Sequence, residues 1–169
     1  GCCYVYQGEE LGLPEVEDLP PEVLQDPVWE RSGHADPGRD GCRVPIPWEG
    51  EAAPFGFSPD GASAPPWLPQ PMWFASYTAA SQEHDPSSML RLYRTVLHTR
   101  RSEASLRGGG FEWVGEHSDV LAFRRGELVC AVNLGGSSAL LPAHREVLLT
   151  SAPLEDGRLP ADTAAWLRA

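Results

Sequence analysis

Thirteen of the seventeen prolines in this 169-residue chain fall between Pro14 and Pro71. Each proline removes a backbone donor and blocks the continuation of a helix, so neither a sheet nor a long helix can run through that segment. Residues 8–84 also show no sustained apolar period of two or of 3.6. An aperiodic stretch of about 75 residues is uncommon inside a compact domain and marks either a functional loop or a linker. Its aromatic content decides between the two. Trp48, Phe55, Phe57, Trp67, Trp73 and Phe74 are too many for a solvated linker, so the stretch is expected to be ordered and packed over something larger.

The flanks are more regular. Residues 2–6, Cys-Cys-Tyr-Val-Tyr, form a short apolar run closed by Gln7 and Gly8, which predicts a buried strand. A buried strand needs hydrogen-bonding neighbours, and no second strand is predicted near it in sequence. The spacing of Met89, Leu90, Tyr93, Val96 and Leu97 predicts a helix over 86–101, with Asp85 as N-cap and Pro86 at the first helical position. Arg100 and Arg101 then occupy its last turn, where positive charge suits the dipole. Gly108, Gly109 and Gly110 mark a turn rather than a phosphate loop, since no Lys-Ser/Thr follows. Beyond it, six short strands are predicted at 111–114, 119–124, 127–134, 139–141, 147–150 and 163–167, with a tight hairpin at Arg125 and Gly126. This pattern indicates a small antiparallel β-sandwich.

Composition removes several function classes. A formal charge of −11 argues against a nucleic-acid partner, because the chain repels phosphate. No apolar run approaches 18 residues, so no membrane span is predicted. All 13 basic residues are Arg, and Ile46 and Asn133 are the single Ile and Asn, which reads as a GC-rich genome. Cys2 and Cys3 adjoin, Cys42 and Cys130 stand alone, and the five histidines are scattered; no metal site and no cofactor are expected. No secretory leader pattern stands at the start, and reduced thiols in a cytoplasmic protein are the expectation.

Two constellations carry possible chemistry. Glu9 and Glu10 are adjacent carboxylates, but neighbours leaving a strand point apart and do not flank one bond. Between Glu9 and Glu30 there are eight acids and no base, and most of these are expected to face water. The second constellation is Arg39-Asp40-Gly41-Cys42-Arg43-Val44-Pro45, followed by Trp48. Two guanidinium forks with an Asp between them suit vicinal hydroxyls or carboxylates, and they equally suit a salt bridge that anchors a long loop. No GxSxG or Cys–His pairing supplies a nucleophile.

Taken together, these residues resemble a known family. Tyr4-Val5-Tyr6-Gln7-Gly8-Glu9-Glu10-Leu11-Gly12-Leu13, the Arg39 to Pro45 segment with Trp48, Pro66-Trp67-Leu68-Pro69 and the helix opening at Asp85-Pro86 resemble the α-glucosidases of glycoside hydrolase family 13. Val120-Leu121-Ala122-Phe123 and Val129-Cys130-Ala131-Val132-Asn133 continue the resemblance, in family order, to the late strands.

The resemblance implies a (β/α)8 barrel followed by a small antiparallel β-sandwich. Residues 1–103 would be the last β/α unit of that barrel, with strand 8, its long loop and helix 8; residues 104–169 would be the C-terminal domain. It implies hydrolysis of terminal α-glucosidic bonds in an oligosaccharide substrate by the complete enzyme. The family's nucleophile, acid/base and transition-state-stabilising carboxylates belong to earlier strands, so no catalytic residue is expected here and the chain alone should be inactive. An N-terminal barrel portion would be its partner. By the same resemblance Arg43 contributes to the pocket for the terminal glucose, and Arg39 and Asp40 support the loop. Trp48 and Trp67 are expected to pack rather than to stack on sugar. A stand-alone carbohydrate-binding or structural module, and part of a related glucosyltransferase or trehalose synthase, are the alternatives.

Overall fold

The computed structural model describes residues 2–59, 61–108, 110–115 and 119–169, so Gly109 of the glycine turn and His117 lie outside the described residues. The chain divides into two compact units, Gly1–Arg94 and Thr95–Ala169.

The first unit is built almost without ladders. Residues 2–6 form no strand with any described residue, and Tyr4 is 89% exposed. Their expected burial is not met within this chain, because nothing described offers the paired backbone that a strand requires. After them come 3-10 turns at Glu9–Leu11, Pro21–Val23, Asp40–Arg43 and Met72–Tyr77. Two short helices, α1 (Pro27–Arg31) and α2 (Ala79–Glu83), interrupt the loop. The prolines leave such short elements as the regular structure available. Order comes instead from a small core of Val16, Val44, Phe55, Leu68 and Phe74. The Phe55 and Phe74 rings stand 6.4 Å apart, and Trp73 meets Phe74 edge-on at 4.7 Å. Phe55 adopts a left-handed backbone (φ 45°), unfavourable for a bulky residue. Burial of its ring and two N–H groups on its carbonyl, from Trp48 (2.7 Å) and Glu49 (3.0 Å), hold it there. The loop is therefore ordered, as its aromatics indicate. Only two of the six aromatics are in the core; Trp48 and Trp67 are exposed in this chain, the Trp67 indole N–H donating to the Val23 carbonyl at 3.2 Å.

Glutamine side chains replace the missing ladder. Gln70 Nε2 donates to the Pro45 carbonyl at 3.0 Å. Gln82 Nε2 donates to the Leu11 carbonyl at 2.8 Å, while its Oε1 accepts the Leu90 N–H at 3.0 Å. That last bond corrects the helix start. The helix, α3, runs Met89–Ser102, three residues later than expected. Asp85 turns its carboxylate to the Ser87 N–H and hydroxyl, leaving Pro86 in a turn. Ser88 caps the helix, its Oγ accepting from Arg91 N–H at 3.3 Å.

The second unit holds the C-terminal end of α3, a short helix α4 (Ala104–Arg107) and one five-stranded antiparallel sheet. Its strands are β1 (Glu112–Trp113), β2 (Val120–Arg125), β3 (Leu128–Asn133), β4 (Glu146–Thr150) and β5 (Thr163–Arg168), in the order β1-β2-β3-β5-β4. Register pairs Arg125 with Leu128, so the hairpin loop is Gly126 and Glu127, one residue later than expected. Alternation sends Val129, Ala131, Ala165 and Leu167 to one buried face with Ala122. Among the described residues, irregular segments rather than a second ladder pack on that face. The residues expected as a strand at 139–141 make a single bridge, Ala139 to Leu159, which brings Leu159 and Leu141 onto the core. Asn133, fully buried, ties this layer down by donating Nδ2 to the carbonyls of Ser137, Leu159 and Pro160 at 2.9–3.0 Å. Arg168 donates to Glu103 at 2.7 Å and to Glu146 at 3.1 Å, joining α4's approach to the sheet edge.

Candidate functional site

The arginine-rich loop of the first unit folds into a compact ionic cluster. Asp40 opens the 3-10 turn Asp40–Arg43, so the i, i+3 geometry of that turn carries Arg43 back over it. Arg43 Nη1 donates to Asp40 Oδ1 at 3.1 Å and to Asp26 Oδ2 at 2.9 Å. Both carboxylates are buried, Asp26 to 4% exposure and Asp40 to 5%, whereas the Arg43 side chain is 38% exposed. Asp40 Oδ2 accepts the backbone N–H groups of Gln25 and Asp26. Asp26 is the N-cap of α1, its Oδ1 taking the Val28 N–H at 3.0 Å.

Two glycines make this closeness possible. A Cβ on Gly41 would stand 2.3 Å from the Val16 carbonyl oxygen, and one on Gly38 would stand 2.5 Å from Asp26 Cβ. Gly38 also has φ +72°, a conformation that favours glycine. The Arg-Asp-Gly order is thus a packing requirement at its third position and an electrostatic one at its second.

Electrostatics follow the same contacts. The Val28 N–H lowers the Asp26 carboxyl against the opposing effect of burial, with further help from Arg39 N–H and Arg43. Burial pushes Asp40 upward, but the Gln25 and Asp26 N–H groups and Arg43 together outweigh it and leave it lowered. Asp40 first, then Asp26, raise Arg43, so the cluster is fully ionised at neutral pH. One Nη1 group serves both carboxylates. Nε and Nη2 make no hydrogen bond among the described residues.

The remaining candidates fall differently. Arg39 is exposed, and its side chain makes no hydrogen bond or ion pair among the described residues; its backbone N–H alone supports the cluster, through Asp26 Oδ2 at 3.2 Å. Glu10 accepts the Gly8 N–H, and Glu9 is exposed in the same 3-10 turn, so no carboxylate pair forms there. Gln7 Nε2 reaches the carbonyls of Val44 (3.3 Å) and Cys42 (3.4 Å), beside a cavity of about 250 Å³ also lined by Tyr6, Glu9 and Phe74. Asp26 was hidden among the eight acids expected to be solvated. Its one sequence signal was the following Pro27, the mark of an N-cap. Among the described residues no three His, Cys, Asp or Glu side chains gather as a metal site, and no helix is long and apolar enough to cross a membrane.

The chain belongs to the α-amylase family: residues 1–109 match the model of the α-amylase catalytic domain, and residues 106–166 match a domain of unknown function, DUF3459. Its curated relatives include a probable α-glucosidase of Rhizobium meliloti, 38% identical, the match covering 86% of this chain and 26% of the relative. A probable oligo-1,6-glucosidase of Bacillus subtilis is 28% identical over 89% of this chain and 31% of its own length. Among solved structures, an α-glucosyl transfer enzyme superposes with a TM-score of 0.75 at 35% identity, covering 97% of this chain and 32% of the other. Isomaltulose synthase from Klebsiella shares the fold, with a TM-score of 0.76 at 20% identity over 97% of this chain and 34% of its own. The chain thus spans about a quarter to a third of the length of these proteins. The fold is that expected: the end of an α-amylase-type barrel domain followed by an antiparallel β domain.

Proposed function

We propose that this chain is the part of an α-glucosidase that carries part of the sugar-holding wall and none of the reacting carboxylates. The observation that carries the reading is the Arg43 guanidinium, clamped at Nη1 by two buried aspartates with its other N–H groups unengaged among the described residues. Such a fork, already held in place, presents directional donors to the hydroxyls of a terminal glucose without first losing side-chain entropy. Loops at the C-terminal ends of barrel strands are where such folds bind substrate. Arg39 contributes through its backbone N–H, as a support. Retaining hydrolysis needs two carboxyls about 5 Å apart across the bond, and those belong to the rest of the catalytic domain.

We assign residues 1–103 to the barrel end and 104–169 to the C-terminal β domain. In support, the two family matches meet near that boundary, and among the described residues every strand follows it. The partners are an oligosaccharide and the remaining barrel portion. Four free cysteines suit a reducing, cytoplasmic setting.

Glucosyl transfer is the second reading, favoured by the 35% identity to an α-glucosyl transfer enzyme. An assay on a chromogenic α-glucoside tests the main proposal. The chain alone should give no turnover, and the enzyme restored with the rest of the barrel should release glucose. Turnover by the isolated chain contradicts the proposal, and oligosaccharide rather than glucose as main product favours transfer.

A further inference from the structure

No motif singles out Asp26, yet its carboxylate joins three parts of the loop unit. Oδ1 takes the Val28 N–H at the head of α1, and Oδ2 takes both the Arg39 N–H and Arg43 Nη1. Asp40 also holds Nη1, but it sits three residues from Arg43 in the same turn and travels with it. Asp26 stands seventeen positions away on another element. A local pair fixes the arginine to its own turn; a remote contact fixes it to the unit. We propose that Asp26 is a positioning residue for Arg43, setting where the guanidinium stands when a glucosyl group is bound. This rests on the sugar-binding reading of Arg43.

Asp26 has a rival role, as a helix cap only. Asn separates the two. It caps as well as Asp and keeps an oxygen for the Val28 N–H, but it carries no charge, and its amide nitrogen cannot accept from Arg43. A displaced binding group costs catalysis far more than its own hydrogen bond suggests, and a misplacement of about 1 Å can cost ~100-fold. Part of that range is expected here, because Asp40 still holds Nη1.

The test is a double-mutant cycle in the complete enzyme, with Asp26→Asn, Arg43→Ala and the pair, following kcat and KM on a chromogenic α-glucoside. Asp26→Asn should lower kcat/KM about tenfold, mainly through KM, when Arg43 is present. On the Arg43→Ala background the same change should matter less than about twofold, because an effect routed through Arg43 has nowhere left to act. A cap-only role predicts little change with Asn, or an equal loss on both backgrounds, and either result overturns the proposal. If Arg43→Ala alone leaves kcat/KM within about twofold of wild type, the sugar-binding reading falls and this inference falls with it. Should Asp26→Asn unfold, Gly38→Ala makes the same test. Its Cβ would press on Asp26 while leaving both charges, and it should lower kcat/KM only when Arg43 is present.

Discussion

The loop unit and the sheet unit have cores of similar size but hold their backbones by different means. In the sheet unit, β3 pairs with β2 and β5 over all six of its residues, so its N–H groups donate to main-chain carbonyls and its carbonyls accept main-chain N–H groups of the neighbouring strands. The core there can be small residues, Ala122, Ala131 and Ala165, because the ladder and not the side chains fixes position. In the loop unit the prolines remove that option. Large rings fill the core, and polar side chains satisfy the backbone: Gln7, Gln70, Gln82, Asp26, Asp40 and Ser88 each bond to main-chain groups. The difference explains where a binding group can be placed. A ladder spaces side chains at fixed intervals, whereas a loop held by buried carboxylates can bring residues 26, 40 and 43 to one nitrogen.

The comparison breaks most visibly through core truncation. Phe74→Ala should cost about 3–5 kcal/mol and Leu167→Ala about 2–5 kcal/mol. Hydrogen exchange should then lose protection in the loop unit with the first and in the β2-β3-β5 ladder with the second. Simultaneous loss in both units with either variant would mean that they open as one.

Acid should separate the units next. Asp26, Asp40 and Asp85 are held below their usual 3.8, and Glu83 below 4.5, Asp85 by the Ser87 hydroxyl and Glu83 by Arg94. Groups with lowered values contribute stability above the unfolded pKa and lose it as pH falls through the folded one. Glu103, lowered by its bond to Arg168, is the corresponding carboxyl in the sheet unit. The loop unit should therefore lose protection first on titration below about pH 4, by far-UV and near-UV circular dichroism with exchange mapping. Loss of the ladder before the loop would contradict this ordering.

The smallest effect concerns thiols. Cys2 and Cys3 are exposed, while burial raises the Cys130 thiol against a lesser lowering by its bond to Trp166. An aromatic disulfide reagent at neutral pH should modify Cys2 and Cys3 first and Cys130 last. Early modification of Cys130 would place β3 at a frayed edge.

Much of the sheet unit was legible because short apolar runs between turns are a local signal. The runs at 119–124, 127–134 and 163–167 announce strands without reference to anything remote. The errors there are equally local: a hairpin one residue off, and a second layer made from a bridge at Ala139 rather than a strand. In the loop unit, order was legible from the aromatics, and the Arg43–Asp40 salt bridge was one of the two readings of the motif. The place of Asp26 in the cluster was not, because its contacts depend on residues 39 and 43 arriving beside it. The start of α3 was missed for the same reason: Asp85-Pro86 is a good local cap, but Gln82 and Ser88 together make a better one. Arg39 was expected to support the loop, and the fold puts its backbone N–H rather than its side chain on Asp26.

The most direct test pairs one arginine from each unit in the complete enzyme. Arg43 ends on two buried carboxylates, its other N–H groups unengaged among the described residues, and Arg158 is bonded to the Ser138 hydroxyl and carbonyl beside a cavity of about 300 Å³ in the sheet unit. Arg43→Ala should lower kcat/KM on an α-glucoside at least about tenfold, and Arg158→Ala should change it less than about twofold per folded molecule. Equal effects, or a larger one at Arg158, would contradict the assignment of sugar binding to the loop.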